Sequence, residues 1–348
     1  MMMTSRETEK RRAVSSSKTP MIAGAVAGVV SRFCIAPLDV VKIRLQLQPQ
    51  LLIQHALPVA GSTPVGTLYN GIYGTMRTII REEGVTALWK GNIPAELLYL
   101  TYGAAQFFIY AQTQQLLSSY SNFPSSMVNT ASGGIAGGLA TSITYPLDLL
   151  RTRFAASKTI EGKTGVYGSI SAAIRGIYKD EGIRGFYRGG GAAVVQIVPY
   201  MGLFFGSYEG VKTAFLSVPF SSIGLLVPFN ANDHPVLSSL AGKGSIDAIS
   251  GITAGVIAKT GVFPLDTIRK RLQVQGPTRT GYVHGDIPVY DRGIMWCGRE
   301  VVRREGWRGL YRGLTVSLVK AAPASAVTMW TYGRAVEVIG WIEGREGV

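Results

Sequence analysis

The most regular chemical pattern in the chain is an aspartate two positions after a proline, followed three residues later by a basic residue. The pattern occurs three times, as Asp39 with Lys42, Asp148 with Arg151, and Asp266 with Arg269. Side chains three residues apart share one face of a helix, so each pair can bind within its helix or present both charges to a neighbouring helix. The aspartates and basic residues can form reversible ion pairs, which suit a contact that forms and breaks.

Catalytic and metal-binding chemistry has no comparable support. The histidines and cysteines are few, namely His55, His234, His284, Cys34 and Cys297. None of them belongs to a nucleophile–base arrangement or to a metal-ligand spacing. Two cysteines also exclude a disulfide framework. We therefore expect no enzyme, no catalytic residue, no metal and no resident cofactor.

The aspartate motif is part of a threefold internal repeat. Its prolines, Pro37, Pro146 and Pro264, recur at nearly regular intervals, and each motif is followed by a second block. That block is a Glu-Gly pair and then an aromatic residue, a basic residue and a glycine. The triplets are Trp89-Lys90-Gly91, Tyr187-Arg188-Gly189 and Tyr311-Arg312-Gly313. Two separated blocks that recur together indicate three copies of one structural unit.

The composition favours a membrane for these units. The 348 residues are 47% hydrophobic and 16% charged, whereas roughly 25% of residues are charged in an ordinary soluble domain. The formal net charge is +14, but the basic residues interrupt long apolar stretches. A nucleic-acid-binding protein would gather them on one polar face, so we expect no nucleic-acid partner.

Each unit is long enough for two membrane-spanning helices joined by a short amphipathic helix on the membrane surface. The expected fold is an all-α membrane protein with six transmembrane helices and three short amphipathic helices. An even number of crossings places both termini on the same side. The predicted spans are 21–48, 92–118, 128–155, 190–216, 238–273 and 314–342.

The same units set the domain organisation. A polar N-terminal tail over residues 1–20 is expected to be disordered. The three repeats cover 21–120, 121–217 and 238–342, and an extra inter-repeat loop covers 218–237.

The motif Pro-x-Asp-x-x-(Lys/Arg)-x-Arg, repeated three times with its second block, resembles the signature of the mitochondrial carrier family. The resemblance covers about residues 20–342. It implies a monomer with a threefold pseudosymmetric bundle in the mitochondrial inner membrane. One central site would open alternately to the cytosol and the matrix, and both termini would lie on the intermembrane-space side.

Within that family, short stretches are similar to the carriers of thiamine pyrophosphate. These stretches are residues 41–48, 102–107, 150–156, 259–260 and 318–322. The resemblance implies import of thiamine pyrophosphate by exchange with a nucleotide or thiamine monophosphate. Two alternatives stay open: a carrier of coenzyme A or adenine nucleotides, and a proton-leak uncoupler.

Charged residues inside a membrane span must face protein or a water-filled cavity and are functional candidates. Arg32, Lys259 and Lys320 would together suit a phosphate-bearing ligand. The alternative is that one or two of them pair with Asp247 or Glu96.

The family positions imply substrate contact points at Leu98, at Gln196 with Ile197, and at Lys320. Aromatic and amide groups would bind the rest of the ligand. The candidates are Tyr99, Tyr102 and Gln106 on one helix, and Tyr200, Phe204 and Tyr208 on another.

The resemblance also implies a matrix gate in which the aspartates bind basic residues of another repeat. The expected pairs are Asp39–Arg151, Asp148–Arg269 and Asp266–Lys42, braced by Gln46 and Gln273. Such pairs are expected to be solvated and to contribute ~0–1 kcal/mol each.

The corresponding cytosolic gate needs an aromatic–acid–x–x–base motif on the second helix of each repeat. It is complete only in repeat 2, with Tyr208, Glu209 and Lys212, whereas repeats 1 and 3 keep only Tyr110 and Tyr332. A weak cytosolic gate predicts a resting state that is open to the cytosol.

The three aromatic–basic–glycine triplets precede the second helices of the repeats. Free N–H groups at a helix N-terminus attract anions. By resemblance, these triplets are expected to bind the phosphates of cardiolipin.

Overall fold

The computed structural model describes residues 3–48, 69, 71–120, 124–158, 166–217, 243–284, 287–290 and 292–342, and most of these residues are helical. Within those ranges there is no β-strand, and extended pairing is limited to an isolated antiparallel bridge between Ser157 and Tyr282. The predicted loop over 218–237, together with His55 and His234, lies outside the described residues.

The helices follow the three repeats. Repeat 1 contains α1 (Met3–Leu47), α2 (Gly71–Glu83) and α3 (Asn92–Tyr120). Repeat 2 contains α4 (Ser125–Ala156), α5 (Ile170–Gly185), α6 (Gly190–Val195) and α7 (Ile197–Ser217). Repeat 3 contains α8 (Lys243–Gln273), α9 (Ile294–Glu305), α10 (Trp307–Leu310), α11 (Leu314–Val319) and α12 (Ala321–Ile342). Two 3₁₀ helices are described, Val85–Trp89 and Pro277–Gly281.

The long helices lie close to the predicted spans. The backbone of α1 is helical from Met3, within the segment predicted to be a tail. The predicted spans 190–216 and 314–342 each contain a local break in the helix assignment, at Gln196 and at Lys320. A proline three residues later, Pro199 or Pro323, lacks the N–H that would bond to the carbonyl just before the interruption.

Among the described residues, three helical segments are long and apolar enough to cross a membrane by length and composition. They are Ile22–Leu47, Gly190–Ala214 and Asp247–Gln273. Large apolar side chains are also exposed along the other long helices, among them Phe107 on α3 and Trp330 on α12. Exposed apolar surface on a helix is typical of contact with lipid.

The long helices pack across repeat boundaries. The most extensive contacts join α3 to α4, α7 to α8, and α12 back to α1, so the first helix of each repeat packs against the second helix of the preceding one. The three first helices, α1, α4 and α8, also contact one another. These pairings connect the three repeats in a cycle.

The hydrophobic core lies at the end of the molecule that contains the aspartate motifs. Its buried residues come from the C-terminal parts of α1 and α8, such as Val41 and Ile268, and from the short helices, such as Ile79 on α2 and Val301 on α9. Packing at this end fixes the positions of the motif side chains.

The glycine of each aromatic–basic–glycine triplet lets two helices approach closely. Gly91, Gly189 and Gly313 have φ angles of 81°, 78° and 83°. A Cβ at these positions would lie 2.6 Å from the Arg151 carbonyl oxygen, 3.0 Å from the Arg269 carbonyl oxygen and 3.3 Å from the Lys42 carbonyl oxygen, respectively. Each glycine therefore sits against the backbone of an aspartate-motif helix from another repeat.

Alanine substitutions at these three glycines should destabilise the protein in a fixed order. The positive φ angle costs about 1–2 kcal/mol at each site, so the differences will report the contact with the neighbouring backbone. Gly91→Ala should lower the thermal unfolding temperature most and Gly313→Ala least, with overpacking adding about 1–3 kcal/mol at Gly91. Equal losses at all three sites would contradict the close approach.

Candidate functional site

The structure brings each motif aspartate against a basic residue of another repeat. Arg151 Nη2 lies 2.5 Å from Asp39 Oδ2, Arg269 Nη2 lies 2.9 Å from Asp148 Oδ2, and Lys42 Nζ lies 2.6 Å from Asp266 Oδ2. These are the three pairings that the family resemblance implied. We call the three aspartates and these three partners the aspartate ring.

The ring is more buried than the sequence predicted. The side chains of its six members are 7–17% exposed, so the expectation of solvated pairs was wrong. The helices pack tightly at this end and remove most of the water from the charges. Removing one partner of a buried pair leaves an uncompensated charge and costs ~3–5 kcal/mol, well above the value for a solvated pair.

Two glutamines brace the ring, as the resemblance implied. Gln46 Nε2 donates to Asp266 Oδ2 at 3.3 Å, and Gln273 Nε2 donates to Asp148. At the remaining corner, the Arg151 guanidinium donates instead to the Tyr99 hydroxyl at 3.0 Å. Each corner of the ring thus has one additional polar contact.

A second cation lies against each ring aspartate. Lys320 Nζ is 2.5 Å from Asp39 Oδ1, Lys270 Nζ is 3.1 Å from Asp148 Oδ2, and Lys259 Nζ is 3.6 Å from Asp266 Oδ2. Lys320 and Lys259, predicted to bind a ligand, therefore pair with ring aspartates and not with Asp247 or Glu96. The positive charge exceeds the negative charge around the ring.

Lys270 was missed from the sequence. Its ammonium also donates to Thr152 Oγ1 at 2.8 Å and to Gln273 Oε1 at 3.0 Å. The signal for it was available, because the residue between the two basic positions of the motif is apolar in repeat 1 and a threonine in repeat 2 but a lysine in repeat 3.

A cavity of about 620 Å³ opens beside the ring between α1 and α12. Arg32, Lys320 and Tyr99 line it together with the hydroxyl side chains of Ser325 and Thr328. Arg32 stacks on the Tyr99 ring, with its guanidinium carbon 3.2 Å from the ring centroid. The cavity combines two cations, hydroxyl groups and an aromatic surface, which can bind a phosphorylated aromatic compound.

A second cavity of about 250 Å³ adjoins the same tyrosine. Leu98, Tyr99, Tyr102 and Thr141 line it, and Arg151, Arg269 and Asp148 of the ring also line it. Two predicted contact residues, Leu98 and Tyr102, are therefore placed next to the ring.

Other predicted contact residues lie elsewhere. Ile197 lines an apolar cavity of about 350 Å³ between α4 and α7, which shares no lining residue with the two cationic cavities. Tyr200 stacks with Phe204 at 6.1 Å, and Phe204 stacks with Tyr208 at 6.5 Å between ring centroids. Gln106 and Gln196 are half-buried, and the Gln196 side-chain oxygen has no hydrogen-bond partner among the described residues.

Three buried arginine–glutamate pairs, which the sequence reasoning missed, fix the short helices to the motif helices. We call them the arginine clamps: Arg44–Glu83, Arg153–Glu181 and Arg271–Glu305. All six side chains are at most 2% exposed. Their signal was the last arginine of each motif together with the glutamate of each Glu-Gly pair.

Each clamp arginine also reaches another repeat. Its Nε donates to a backbone carbonyl at the end of another motif helix: Arg44 to Ala155 at 3.1 Å, Arg153 to Gln273 at 3.0 Å, and Arg271 to Gln46 at 3.2 Å. The clamps therefore connect all three repeats in a second cycle. Their side chains are also less exposed than those of the aspartate ring.

The electrostatics of the clamps can be followed at Glu83. Burial would raise the pKa of the Glu83 carboxyl, but hydrogen bonds and positive charge from Arg44 and Lys90 hold that pKa below its ordinary value. The clamp is therefore ionised at any physiological pH.

His284 is buried beside the first clamp. Its Nε2 lies 3.2 Å from the Arg44 carbonyl oxygen and donates to it. Burial lowers the pKa of His284 to about 3, and the nearby arginines act in the same direction. The imidazole of His284 is therefore neutral, and it contributes packing and a hydrogen bond to the structure.

At the other end of the bundle, Lys212 Nζ lies 5.5 Å from the Tyr208 ring centroid on the same helix. Among the described residues, no ion pair joins the predicted cytosolic gate residues of different repeats. Lys212 Nζ lies 2.8 Å from Asp247 Oδ1, and the Tyr208 hydroxyl donates to the same carboxylate at 3.0 Å. Glu209 is exposed, and Tyr110 and Tyr332 make no ring contact with each other among the described residues. The closed contacts lie at the aspartate end.

The basic residues of the aromatic–basic–glycine triplets make contacts within the protein. Lys90 Nζ lies 2.5 Å from Glu83 Oε2, Arg188 pairs with Glu181, and Arg312 Nη1 donates to the Gln48 carbonyl at 2.7 Å. The aromatic residues of the triplets also contact protein groups. Trp89 Nε1 donates to the Phe33 carbonyl at 3.0 Å, Tyr187 stacks with Tyr145, and Tyr311 stacks with Phe263. Lipid binding by these triplets stays a prediction.

Comparison with known proteins adds an independent result. A family model described as mitochondrial carrier protein matches residues 15–121, 123–218 and 243–341. A protein of Neosartorya fischeri named mitochondrial thiamine pyrophosphate carrier 1 is 53% identical over 323 residues, which cover 92% of each chain. Proteins of the same name from Emericella nidulans and Coccidioides immitis are each 54% identical, and the aligned regions cover 92% and 91% of each chain, respectively.

Two glutamate substitutions should separate the buried clamp from a surface pair. Glu181→Gln leaves the buried Arg153 without its carboxylate and should lower the free energy of unfolding by ~3–5 kcal/mol. Glu82→Gln is the matched control, because Glu82 on α2 pairs with Lys158 and is 35% exposed, and its loss should cost ~0–1 kcal/mol. Thermal unfolding in detergent measures both, and equal losses would contradict the clamp.

Proposed function

Since the chain belongs to the mitochondrial carrier family, as its threefold motif predicted, we propose that it is a transporter of the inner membrane with six transmembrane helices in a threefold pseudosymmetric bundle. The cyclic packing of the long helices supports this arrangement. An even number of crossings would put both termini on the same side, and we propose the intermembrane-space side, which the family resemblance implies. The family consists of carriers, so the expectation that the chain is not an enzyme is confirmed.

The proposed cargo is thiamine pyrophosphate, imported by exchange with a nucleotide or thiamine monophosphate. The observation that carries this proposal is the cavity lined by Arg32, Lys320 and Tyr99. The two cations suit the diphosphate, and the tyrosine ring suits the thiazolium cation or the aminopyrimidine ring. The relatives named for the same compound support this choice over other phosphorylated cofactors.

The transport mechanism follows from the two ends of the bundle. The aspartate ring is formed, whereas no ion pair joins the predicted cytosolic gate residues of different repeats among the described residues. These contacts support our proposal of a state that is open to the cytosol, with the ring as the matrix gate. Cargo enters from the cytosol, the ring pairs separate, and the cytosolic end closes behind the cargo.

The remaining alternatives differ in what they require of the cavity. Coenzyme A and adenine nucleotides also carry phosphate and would use Arg32 and Lys320, so binding measurements must separate them from thiamine pyrophosphate. An uncoupler would need a leak through the matrix end, and three buried ion pairs argue against it. Fatty-acid-stimulated proton flux without cargo would favour the uncoupler.

We further propose that the protein works as a monomer and binds cardiolipin at the three aromatic–basic–glycine triplets. Each triplet precedes a helix N-terminus, whose free N–H groups attract phosphate. Because the basic side chains contact protein groups, the backbone N–H groups would supply most of the hydrogen bonds to the lipid.

Ligand-dependent thermal stabilisation tests the cargo. Thiamine pyrophosphate at a hundredfold excess over Kd should stabilise the purified protein by about 2.7 kcal/mol. Thiamine, coenzyme A and ATP should give smaller shifts. Lys320→Gln should weaken binding about tenfold or more, because a charge-assisted hydrogen bond contributes ~1.5–3 kcal/mol.

Lys179→Gln is the matched control for that substitution, since Lys179 is exposed on α5 and lines neither cationic cavity. It should leave the ligand-induced shift unchanged. A larger shift with coenzyme A or ATP than with thiamine pyrophosphate would contradict the proposed cargo and leave the carrier fold intact.

A further inference from the structure

Tyr99 contacts a cation of the cavity and a cation of the aspartate ring at the same time. Arg32 stacks on its ring face at 3.2 Å, and Arg151 Nη1 donates to its hydroxyl at 3.0 Å. Arg151 Nη2 in turn lies 2.5 Å from Asp39. A continuous set of contacts therefore runs from the cavity through one tyrosine to one corner of the ring.

The other two corners of the ring are built differently. Arg269 lies 5.4 Å from the ring centroid of Tyr145, and Lys42 lies 5.6 Å from that of Phe263. Tyr145 and Phe263 each precede a motif proline, so these aromatic residues belong to the motif helices themselves. Neither aromatic ring contacts a cation that lines the 620 Å³ cavity, within the described part of the chain.

Repeat 1 lacks the corresponding aromatic residue. The residue before its motif proline is Ala36, which leaves the Asp39–Arg151 corner without a ring from its own motif helix. Tyr99 on α3 occupies this role, and α3 also lines both cationic cavities. In repeats 2 and 3 the aromatic side chain beside the basic residue therefore comes from the motif helix. In repeat 1, where Ala36 stands at that position, it comes from Tyr99, which lines the cationic cavities.

We propose that Tyr99 is a positioning residue that couples phosphate binding in the cavity to opening of the Asp39–Arg151 corner, and that this corner opens first. The proposal rests on the proposed function, since it requires a phosphate-bearing cargo. A diphosphate draws Arg32 from the ring face into a charge-assisted hydrogen bond. The Tyr99 side chain is then free to turn, and its hydroxyl no longer accepts the hydrogen bond from Arg151.

Lys320 acts on the same corner by a second route. Its ammonium lies 2.5 Å from Asp39 Oδ1 and also lines the cavity. A diphosphate that binds both Arg32 and Lys320 therefore removes one supporting contact from Arg151 and one from Asp39. At the Asp148 corner the second cation is Lys270, which lines neither cationic cavity.

The test measures access to the cavity from the matrix side. A reporter cysteine is introduced by Thr328→Cys at a residue that lines the 620 Å³ cavity. The background protein lacks the native Cys34 and Cys297. Inverted inner-membrane vesicles expose the matrix side to an impermeant maleimide. The labelling rate is measured without ligand, with thiamine pyrophosphate and with inorganic pyrophosphate, and the Kd of each ligand is measured in detergent.

Tyr99→Phe keeps the ring and removes the hydroxyl. It should raise the ligand-free labelling rate about tenfold, because a hydrogen bond from a charged donor is lost from the gate. The Kd should stay within about twofold, because phenylalanine keeps the aromatic face offered to the cargo, and Arg32 and Lys320 are unchanged. The control Tyr178→Phe, at an exposed residue of α5, should match the unmodified protein in both quantities.

Arg32→Gln completes a double-mutant cycle with Tyr99→Phe. If both residues act through one contact, the double variant should label no faster than the faster single variant, whereas independent effects would multiply. This non-additivity distinguishes coupling from general destabilisation, which would accelerate labelling in every variant.

Two outcomes would overturn the proposal: an unchanged ligand-free labelling rate in Tyr99→Phe, or rates that multiply in the double variant. A Kd increase without a change in labelling would make Tyr99 a plain ligand contact. If neither ligand binds the unmodified protein, the proposed function fails, and the ligand-free rates still decide whether Tyr99 couples Arg32 to Arg151.

Discussion

Charge pairing across repeat boundaries is the constraint on which the rest of the structure depends. A carboxylate inside a membrane protein needs a cation close to it, and each motif aspartate finds that cation on another repeat. The three pairs therefore close one end of the molecule and hold the three first helices together. The arginine clamps also connect the repeats at this end, because their arginines donate hydrogen bonds to backbone carbonyls of other repeats.

The excess of positive charge around the ring connects closure to cargo. A second cation lies against every ring aspartate, and two of these cations, Lys259 and Lys320, occupy positions where the family resemblance implied substrate contact. We propose that an anionic cargo competes with the aspartates for these lysines. Phosphate binding would then loosen the contacts that hold the proposed gate closed, so that binding energy is directed towards opening.

Much of this arrangement follows from the sequence. The threefold motif predicts the helices and their repeat, and spacing along a helix shows that each aspartate shares a face with a basic residue. The pairing of these residues between repeats was implied by the family resemblance and not by the spacing. The interruption at Lys320 and the contacts of Lys270 do not follow from spacing, since they depend on how helices of different repeats pack. Tyr99 is the clearest case: its role arises from Ala36 in another helix, and only three-dimensional packing relates the two.

We propose that cargo separates the ends of the three repeats that contain the aspartate ring. Spin labels at Tyr73 on α2, Tyr178 on α5 and Met295 on α9, all exposed, would report the distances between these ends, measured pairwise in a background without native cysteines. We expect one narrow distance for each pair without ligand, and a second, longer distance when thiamine pyrophosphate is added with the protein in lipid. Long distances without ligand, or distances that the ligand leaves unchanged, would contradict this proposal.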